Sequence, residues 1–349
     1  MSLTPANSKM GRLHWAVGVS GNERRNSLGY ATANVQMRAA LEPHLIFDEA
    51  APTALHFCYP DPAIFQPRAG QKQVLFTMYE HPDLSAEIRA ALPQVDLVIT
   101  PSRWSAEILK PAASCPVEVC PLGVDLLTFR HRPRSAAVGR PFRWLYVGAP
   151  NARKYTVLPE IFNALVKRSG NVMELYFKTT GVGVEALAEL GGEGVEVEPG
   201  LWRADSLWLD VRFLSTSQLA DVYAAADGFL LLHCGEGWGL TGLEAMATGL
   251  APVITDYSGT QAYADARNSY PIPCTGRDVP LIDHRTRERR VQRLPWPDVH
   301  RTMDAMAEAI LHPEARLVKG RAAARTARRF GWPQAGNRLF QILRGRGML

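Results

Sequence analysis

The sequence has no apolar run of the ~18 residues that a membrane-spanning helix needs, no Cys-x-x-Cys pair and no Asp-x-Asp triplet. The first absence excludes a transmembrane helix. The opening residues, MSLTPANSKMGRLHW, also lack the long apolar core of a secretory signal. The five cysteines, at positions 58, 115, 120, 234 and 274, form an odd and scattered set. Without paired spacing they predict reduced thiols, no structural zinc and a cytoplasmic protein. Aromatic residues are 9% of the chain and sparse in its basic stretches, which argues against stacking on single-stranded nucleic acid.

What is present is an ordinary globular composition, 46% hydrophobic and 21% charged. The net charge of +5 is mild for 349 residues and selects no partner class by itself. At roughly 150 residues per domain this length predicts two domains. Residues 1–10 read as a loose tail and 11–125 as a first α/β domain. Residues 126–141, which include TFRHRPR, read as a linker. A second α/β domain is expected over 142–330, with a closing helix over 331–349.

Short apolar runs at 13–17, 54–58, 73–77, 97–100 and 117–119 predict strands of the first domain. Helical stretches separate several of them, including one over 29–41, and that alternation predicts a parallel, doubly wound sheet. The second domain repeats the pattern with strands expected at 142–147, 172–177, 211–213, 229–232 and 251–255. Ser215-Thr-Ser-Gln218 is a capping box that starts a helix over 216–226. Residues 277–297 read as a less regular insertion, followed by helices over 299–311 and 313–330.

The most informative stretch is DGFLLLHCGEGWGLTGLEAMATGLAPVITDYSG, from Asp227 to Gly259. A buried strand leads into a turn in which Gly235, Gly237 and Gly239 alternate with Glu236 and Trp238, and a helix begins near Thr241. Strand, glycine turn and helix N-terminus together present backbone N–H groups and a positive dipole end to an anion. Glu236 and Glu244, beside that anion site, suit a ligand with hydroxyls as well as phosphate. A nucleotide-sugar meets both requirements. Thr241-Gly-Leu-Glu244 also reads as a capping box, in which the carboxylate serves the helix itself.

EGWGLTGLEAMATG resembles the E-x7-E signature of the retaining, GT-B type glycosyltransferases of family 4, and the likeness extends from about residue 29 to about residue 332. PSRWSAEIL at 101–109 and PLGVD at 121–125 belong to it. The resemblance implies a GT-B fold, two Rossmann-like doubly wound domains facing across a cleft, with the last helix returning to the first domain. It implies that Glu236 contacts the donor sugar and that Glu244 holds the ribose hydroxyls. The amides of Gly237, Trp238, Gly239, Leu240 and Thr241 would meet the diphosphate. Lys154 matches the lysine that neutralises the leaving phosphate, and Arg153 would add a bidentate contact. Gly21 and Gly29 match the glycine-rich loop near donor and acceptor, and would otherwise be two glycines of a loop and a helix start. Two positions depart from the common pattern: Ala149 stands where many members have arginine, and Thr241 where proline is frequent.

The activity so implied is transfer of a sugar from a UDP- or GDP-sugar co-substrate, with no cofactor and no metal. Glu80 and His81, after the third strand, fall where an acceptor hydroxyl would be met in an open α/β sheet, or are turn residues before Pro82. The acceptor expected is an envelope glycan or glycolipid. Arginine clusters keep hydroxymethylated DNA as an alternative: Arg285, Arg287, Arg289, Arg290 and Arg293 in one stretch, Arg321 and Arg325 on a helix. The same clusters suit contact with an anionic membrane surface, or a plain solvated face. Remaining alternatives are a nucleotide-sugar epimerase of the same fold and a non-catalytic binding module.

Overall fold

The computed structural model describes residues 10–16, 28–134, 139–148, 158–166, 169, 172–179, 194–282 and 289–349. The chain divides into two compact units, Met1–Gly123 with Phe330–Leu349 and Val124–Arg329.

The first unit contains β1 (Gly11–Trp15), β2 (Leu45–Phe47), β3 (Thr53–Phe57), β4 (Lys72–Phe76), β5 (Leu97–Thr100) and β6 (Val117–Val119). They form one parallel sheet in the order β2-β1-β3-β4-β5-β6. All five residues of β3 and all four of β5 are buried, as expected of strands covered on both faces. Helices α1 (Leu28–Leu41), α2 (Ala86–Ala91) and α3 (Arg103–Leu109) connect strands. Ser85 and Ser102 cap α2 and α3 by accepting from the backbone N–H of Ile88 and Ser105. A helix at the chain's end, α9 (Trp332–Gly345), packs against α1. The contact is close because Gly336 has no side chain: a Cβ there would stand 2.5 Å from the Ala40 carbonyl oxygen.

The second unit holds an eight-stranded sheet. Its strands are β7 (Phe142–Val147), β8 (Met173–Lys178), β9 (Val195–Glu198), β10 (Leu201–Ala204), β11 (Leu207–Asp210), β12 (Gly228–Leu231), β13 (Pro252–Thr255) and β14 (Tyr270–Ile272). The order is β14-β13-β12-β7-β8-β11-β10-β9, parallel as far as β11 and antiparallel at β10 and β9. Helices α4 (Leu158–Ile161), α5 (Thr216–Ala225) and α6 (Leu240–Ala247) link the parallel strands, and α7 (Val299–Leu311) and α8 (Pro313–Ala327) follow. The capping box at α5 is formed, with Ser215 Oγ accepting from Gln218 N–H while the Gln218 side-chain Oε1 accepts from Ser215 N–H. Two helix-linked, largely parallel sheets make both units Rossmann-like.

Two expectations are corrected here. Residues 211–213 are not a strand; β11 ends at Asp210 and the chain turns away before α5. Residues 277–297 are not irregular, since β15 (Cys274–Ile282) and β16 (Arg289–Pro297) form an antiparallel ribbon. Val279, Leu294 and Trp296 from the ribbon join the unit's core.

Candidate functional site

Strand β12 delivers the chain to the glycine turn, and every residue from Leu231 to Gly239 is buried. Burial of a loop requires its polar groups to be met from elsewhere, and the segment after β13 does this. Ser258 Oγ accepts from Glu236 N–H at 3.0 Å. Gly259 N–H donates to the Glu236 carbonyl at 2.8 Å. Tyr263 Oη donates to the Gly239 carbonyl at 2.7 Å, and its ring packs edge-on against Trp238 at 5.4 Å. Gly259 is required by contact, for a Cβ would lie 2.1 Å from the Gly237 carbonyl oxygen. Gly239 is required by conformation, at φ +83, which glycine adopts without strain.

The left-handed Gly239 is also the N-cap of α6, and no side chain caps this helix. The N–H groups of Leu240 and Thr241 precede the first helical hydrogen bond, which Gly242 N–H makes to the Gly239 carbonyl at 3.1 Å, and sit at the positive end of the dipole. The capping-box reading of Thr241 and Glu244 is therefore corrected. Glu244 turns to α5 instead, where Tyr223 Oη donates to its Oε2 at 2.9 Å. Burial pushes the Glu244 carboxyl up to about 7, against the lowering effect of the Tyr223 hydrogen bond. Burial likewise holds the Tyr223 and Tyr263 hydroxyls well above the ordinary tyrosine value, and the neighbouring carboxylates add to it. Glu236 is 6% exposed and close enough to raise Tyr263. The structure thus gathers Glu236, Gly237, Trp238, Gly239, Leu240, Thr241 and Glu244 around one turn and one helix end.

His233 and Cys234 are buried beneath the turn. His233 Nε2 lies 3.4 Å from Thr260 Oγ1. Among the described residues no three His, Cys, Asp or Glu side chains gather as metal ligands.

At the carboxyl ends of β8 and β11 a second cluster shapes the approach to α5. The buried Lys178 ammonium donates to the carbonyls of Thr179 at 2.9 Å, Asp210 at 3.1 Å and Arg212 at 2.6 Å. Asp210, wholly buried, accepts from Tyr176 Oη at 2.7 Å and from the Arg212 guanidinium at 2.9 and 3.0 Å. These donors hold its carboxyl below the ordinary value although burial acts the other way. The connection so pinned presents Phe213, 88% exposed.

In the first unit Gly29 lies in the first turn of α1, and Glu80 and His81 follow β4; all are half-buried. Tyr30 ties them together, donating to the Met78 carbonyl at 3.0 Å and accepting from Met78 N–H at 2.7 Å. Gly21, Arg153, Lys154, Arg285 and Arg287 lie outside the described residues. Arg289 and Arg290 open β16. Arg293 faces Asp278 across the ribbon at 3.5 Å with both side chains mostly exposed, worth little in solution. Arg321 and Arg325 are exposed on α8, with Ala323, Ala324 and Ala327 buried beneath.

Sequence reasoning missed Tyr223, Ser258, Thr260 and Tyr263. Each acts on the turn from a distant part of the chain, and a lone tyrosine or serine carries no local signal of that task.

Residues 142–279, which hold this turn and helix, match the family model described as Glycosyl transferases group 1. A curated relative, D-inositol 3-phosphate glycosyltransferase of Saccharomonospora viridis, is 27% identical over 235 residues, 64% of this chain and 48% of that protein. The chain thus spans about half the length of the curated relative it matches. Sucrose-phosphate synthase from Thermosynechococcus elongatus superposes with a TM-score of 0.60 at 16% identity, over 79% of this chain and 68% of that one. Anabaena HepE, solved with UDP and glucose, does so at 0.58 and 13% identity, over 79% and 72%. The fold is that of the GT-B glycosyltransferases, and the likeness to group 1 glycosyl transferases lies in the second unit.

Proposed function

We propose that this protein is a retaining, metal-independent glycosyltransferase of the family 4 type. It moves a sugar from a UDP- or GDP-sugar to a hydroxyl of an envelope glycan or glycolipid. The observation that carries the reading is the head of α6. An uncapped helix N-terminus, a buried glycine turn and a carboxyl held at 2.9 Å by Tyr223 offer a diphosphate and a ribose diol what each needs. The group 1 match over the same residues supports it.

In this reading the bond from the anomeric carbon to the diphosphate breaks as the acceptor oxygen bonds to that carbon on the same face. The acceptor proton passes to the departing phosphate oxygen. The chain's own part is to position the reactants and stabilise the departing charge. The first-turn N–H groups of α6 bind the diphosphate, and the charges of Lys154 and Arg153 neutralise it. Glu236 orients the sugar and Glu244 accepts from the ribose hydroxyls. A diol donates to the ionised carboxylate, so donor affinity rises as pH passes upward through about 7. Glu80 and His81 serve the acceptor, and the nucleotide-sugar is a co-substrate rather than a resident cofactor.

The relatives are named for inositol phosphate and sucrose phosphate, which favours a sugar- or polyol-type hydroxyl over a hydroxymethylated base. No helix among the described residues is long and apolar enough to cross a membrane, and work at the cytoplasmic surface of one belongs to the proposal. Calorimetric titration with UDP, GDP and ADP tests the site. One diphosphate should bind, more weakly below pH 7 and in Glu244→Gln; binding of none would refute the reading.

A further inference from the structure

At the end of α6 away from the glycine turn, the second unit has a pocket of about 210 Å³ that the proposed transfer does not use. Leu126, Phe129 and Ala247 supply its apolar lining, and Arg130, His131 and Arg328 its polar lining. The chain is fitted closely there. Arg132 N–H donates to the Thr248 carbonyl at 3.3 Å, and the His131 ring lies 2.7 Å from where a Gly249 Cβ would be. Helix α8 closes on the same residue, since a Cβ on Gly320 would stand 2.3 Å from the Gly249 carbonyl oxygen.

Cations at helix C-termini commonly serve the helices, and here that need is met by another residue. Arg134 donates to the carbonyls of Tyr223 at 2.9 Å, Ala224 at 3.3 Å and Ala226, and to Thr248 Oγ1 at 3.3 Å. Arg132 has Asp221 at 2.9 Å. Arg130 and Arg328 have no carboxylate partner among the described residues, and neither have Arg321, Arg325 and Arg329 beside them. Burial, then Arg328, Arg134 and Arg321, holds the His131 imidazole below its ordinary value. The pocket therefore holds two guanidiniums, of Arg130 and Arg328, without a carboxylate partner among the described residues.

Guanidiniums match the several acceptor oxygens of a phosphate better than a single carboxylate oxygen. A volume of about 210 Å³ exceeds that of a phosphate and leaves room for the group it is esterified to. We propose that Arg130, His131 and Arg328 form a second ligand site, for a phosphate monoester, distinct from the head of α6. The ester is a soluble metabolite or the headgroup of a lipid. The site does not depend on the glycosyltransferase reading.

The probe is the His131 resonance in proton–carbon spectra of the full chain, picked out from the nine histidines by His131→Gln. Millimolar inorganic phosphate should shift it and raise its titration midpoint, since an anion offsets Arg130, Arg132, Arg134, Arg321 and Arg328. The Arg130→Ala/Arg328→Ala double variant should weaken that response at least ~10-fold, and Glu244→Gln should leave it intact. Both arginines are exposed, so the double variant should fold, and its melting temperature without phosphate checks this. Sedimentation with phosphatidic acid vesicles that requires the two arginines identifies a headgroup. A phosphate response without sedimentation identifies a soluble ester. A resonance that phosphate leaves unmoved, or that moves equally in the double variant, refutes the site.

Discussion

Replacing Glu244 by glutamine should stabilise the ligand-free protein while weakening its hold on nucleotide. Burial pushes the carboxyl from an ordinary value of 4.5 to about 7, and the Tyr223 hydrogen bond offsets only part of that. A group whose folded value is raised loses stability as pH climbs between the unfolded and folded values, because the unfolded chain ionises first. At about 1.4 kcal/mol per pH unit, the wild type gives up about 3 kcal/mol over that interval. Glutamine has the shape of the protonated acid and no such loss. At pH 8 the variant should be more stable by up to about 3 kcal/mol, which is roughly 6–12 °C in melting temperature for a unit of this size. Below pH 5 the two proteins should converge. The nucleotide, deprived of a charged acceptor for its ribose, should bind about 10- to 150-fold less tightly, from a loss of about 1.5–3 kcal/mol. Calorimetric melting at both pH values, with and without nucleotide, measures all of this. A variant that melts at or below the wild type at pH 8 would refute the argument that this carboxyl is desolvated at the head of α6.

Lys154→Ala should lower kcat/KM by about 2–4 kcal/mol, as for loss of one preorganised donor to a departing oxyanion; steady-state kinetics would show it, and near wild-type turnover would remove Lys154 from the mechanism. Gly259→Ala places a Cβ 2.1 Å from the Gly237 carbonyl oxygen, backbone against backbone. The turn must move, costing about 1–3 kcal/mol, and both melting temperature and nucleotide affinity should fall while the far-ultraviolet circular dichroism stays unchanged. Arg134→Met removes the guanidinium that the Ala224 and Ala226 carbonyls at the end of α5 accept from, and chemical denaturation should register a loss of about 1–3 kcal/mol.

Most of the parallel strands were legible, though β2, β11 and β14 were not. Leu97–Thr100 and Pro252–Thr255 are apolar runs buried on both faces, and such runs stand out in a sequence. The antiparallel strands were not legible. β9 reads VEVE and is exposed throughout. The β10–β11 hairpin turns on Asp205-Ser206, with Asp205 at φ 49, a weaker signal than Asn-Gly or Asp-Gly. The ribbon β15–β16 hides its alternation, because Val279 and Leu294 are set among arginines and prolines. At the site, the glycine turn and both glutamates could be read from 14 residues of sequence. What holds them could not. The residue that takes the Glu244 carboxyl is Tyr223, on the preceding helix, and the apparent local cap at Thr241 yields to a left-handed glycine two residues earlier.

The most direct test of glycosyl transfer is nucleotide release from a panel of UDP-, GDP- and ADP-sugars, each offered with glycan and lipid acceptors, hydroxymethylated DNA or no acceptor. The account predicts release from a UDP- or GDP-sugar that is accelerated by a glycan or glycolipid, persists in chelator, and yields a product with the donor's anomeric configuration. Absence of release from every donor, together with absence of nucleotide binding, would contradict it.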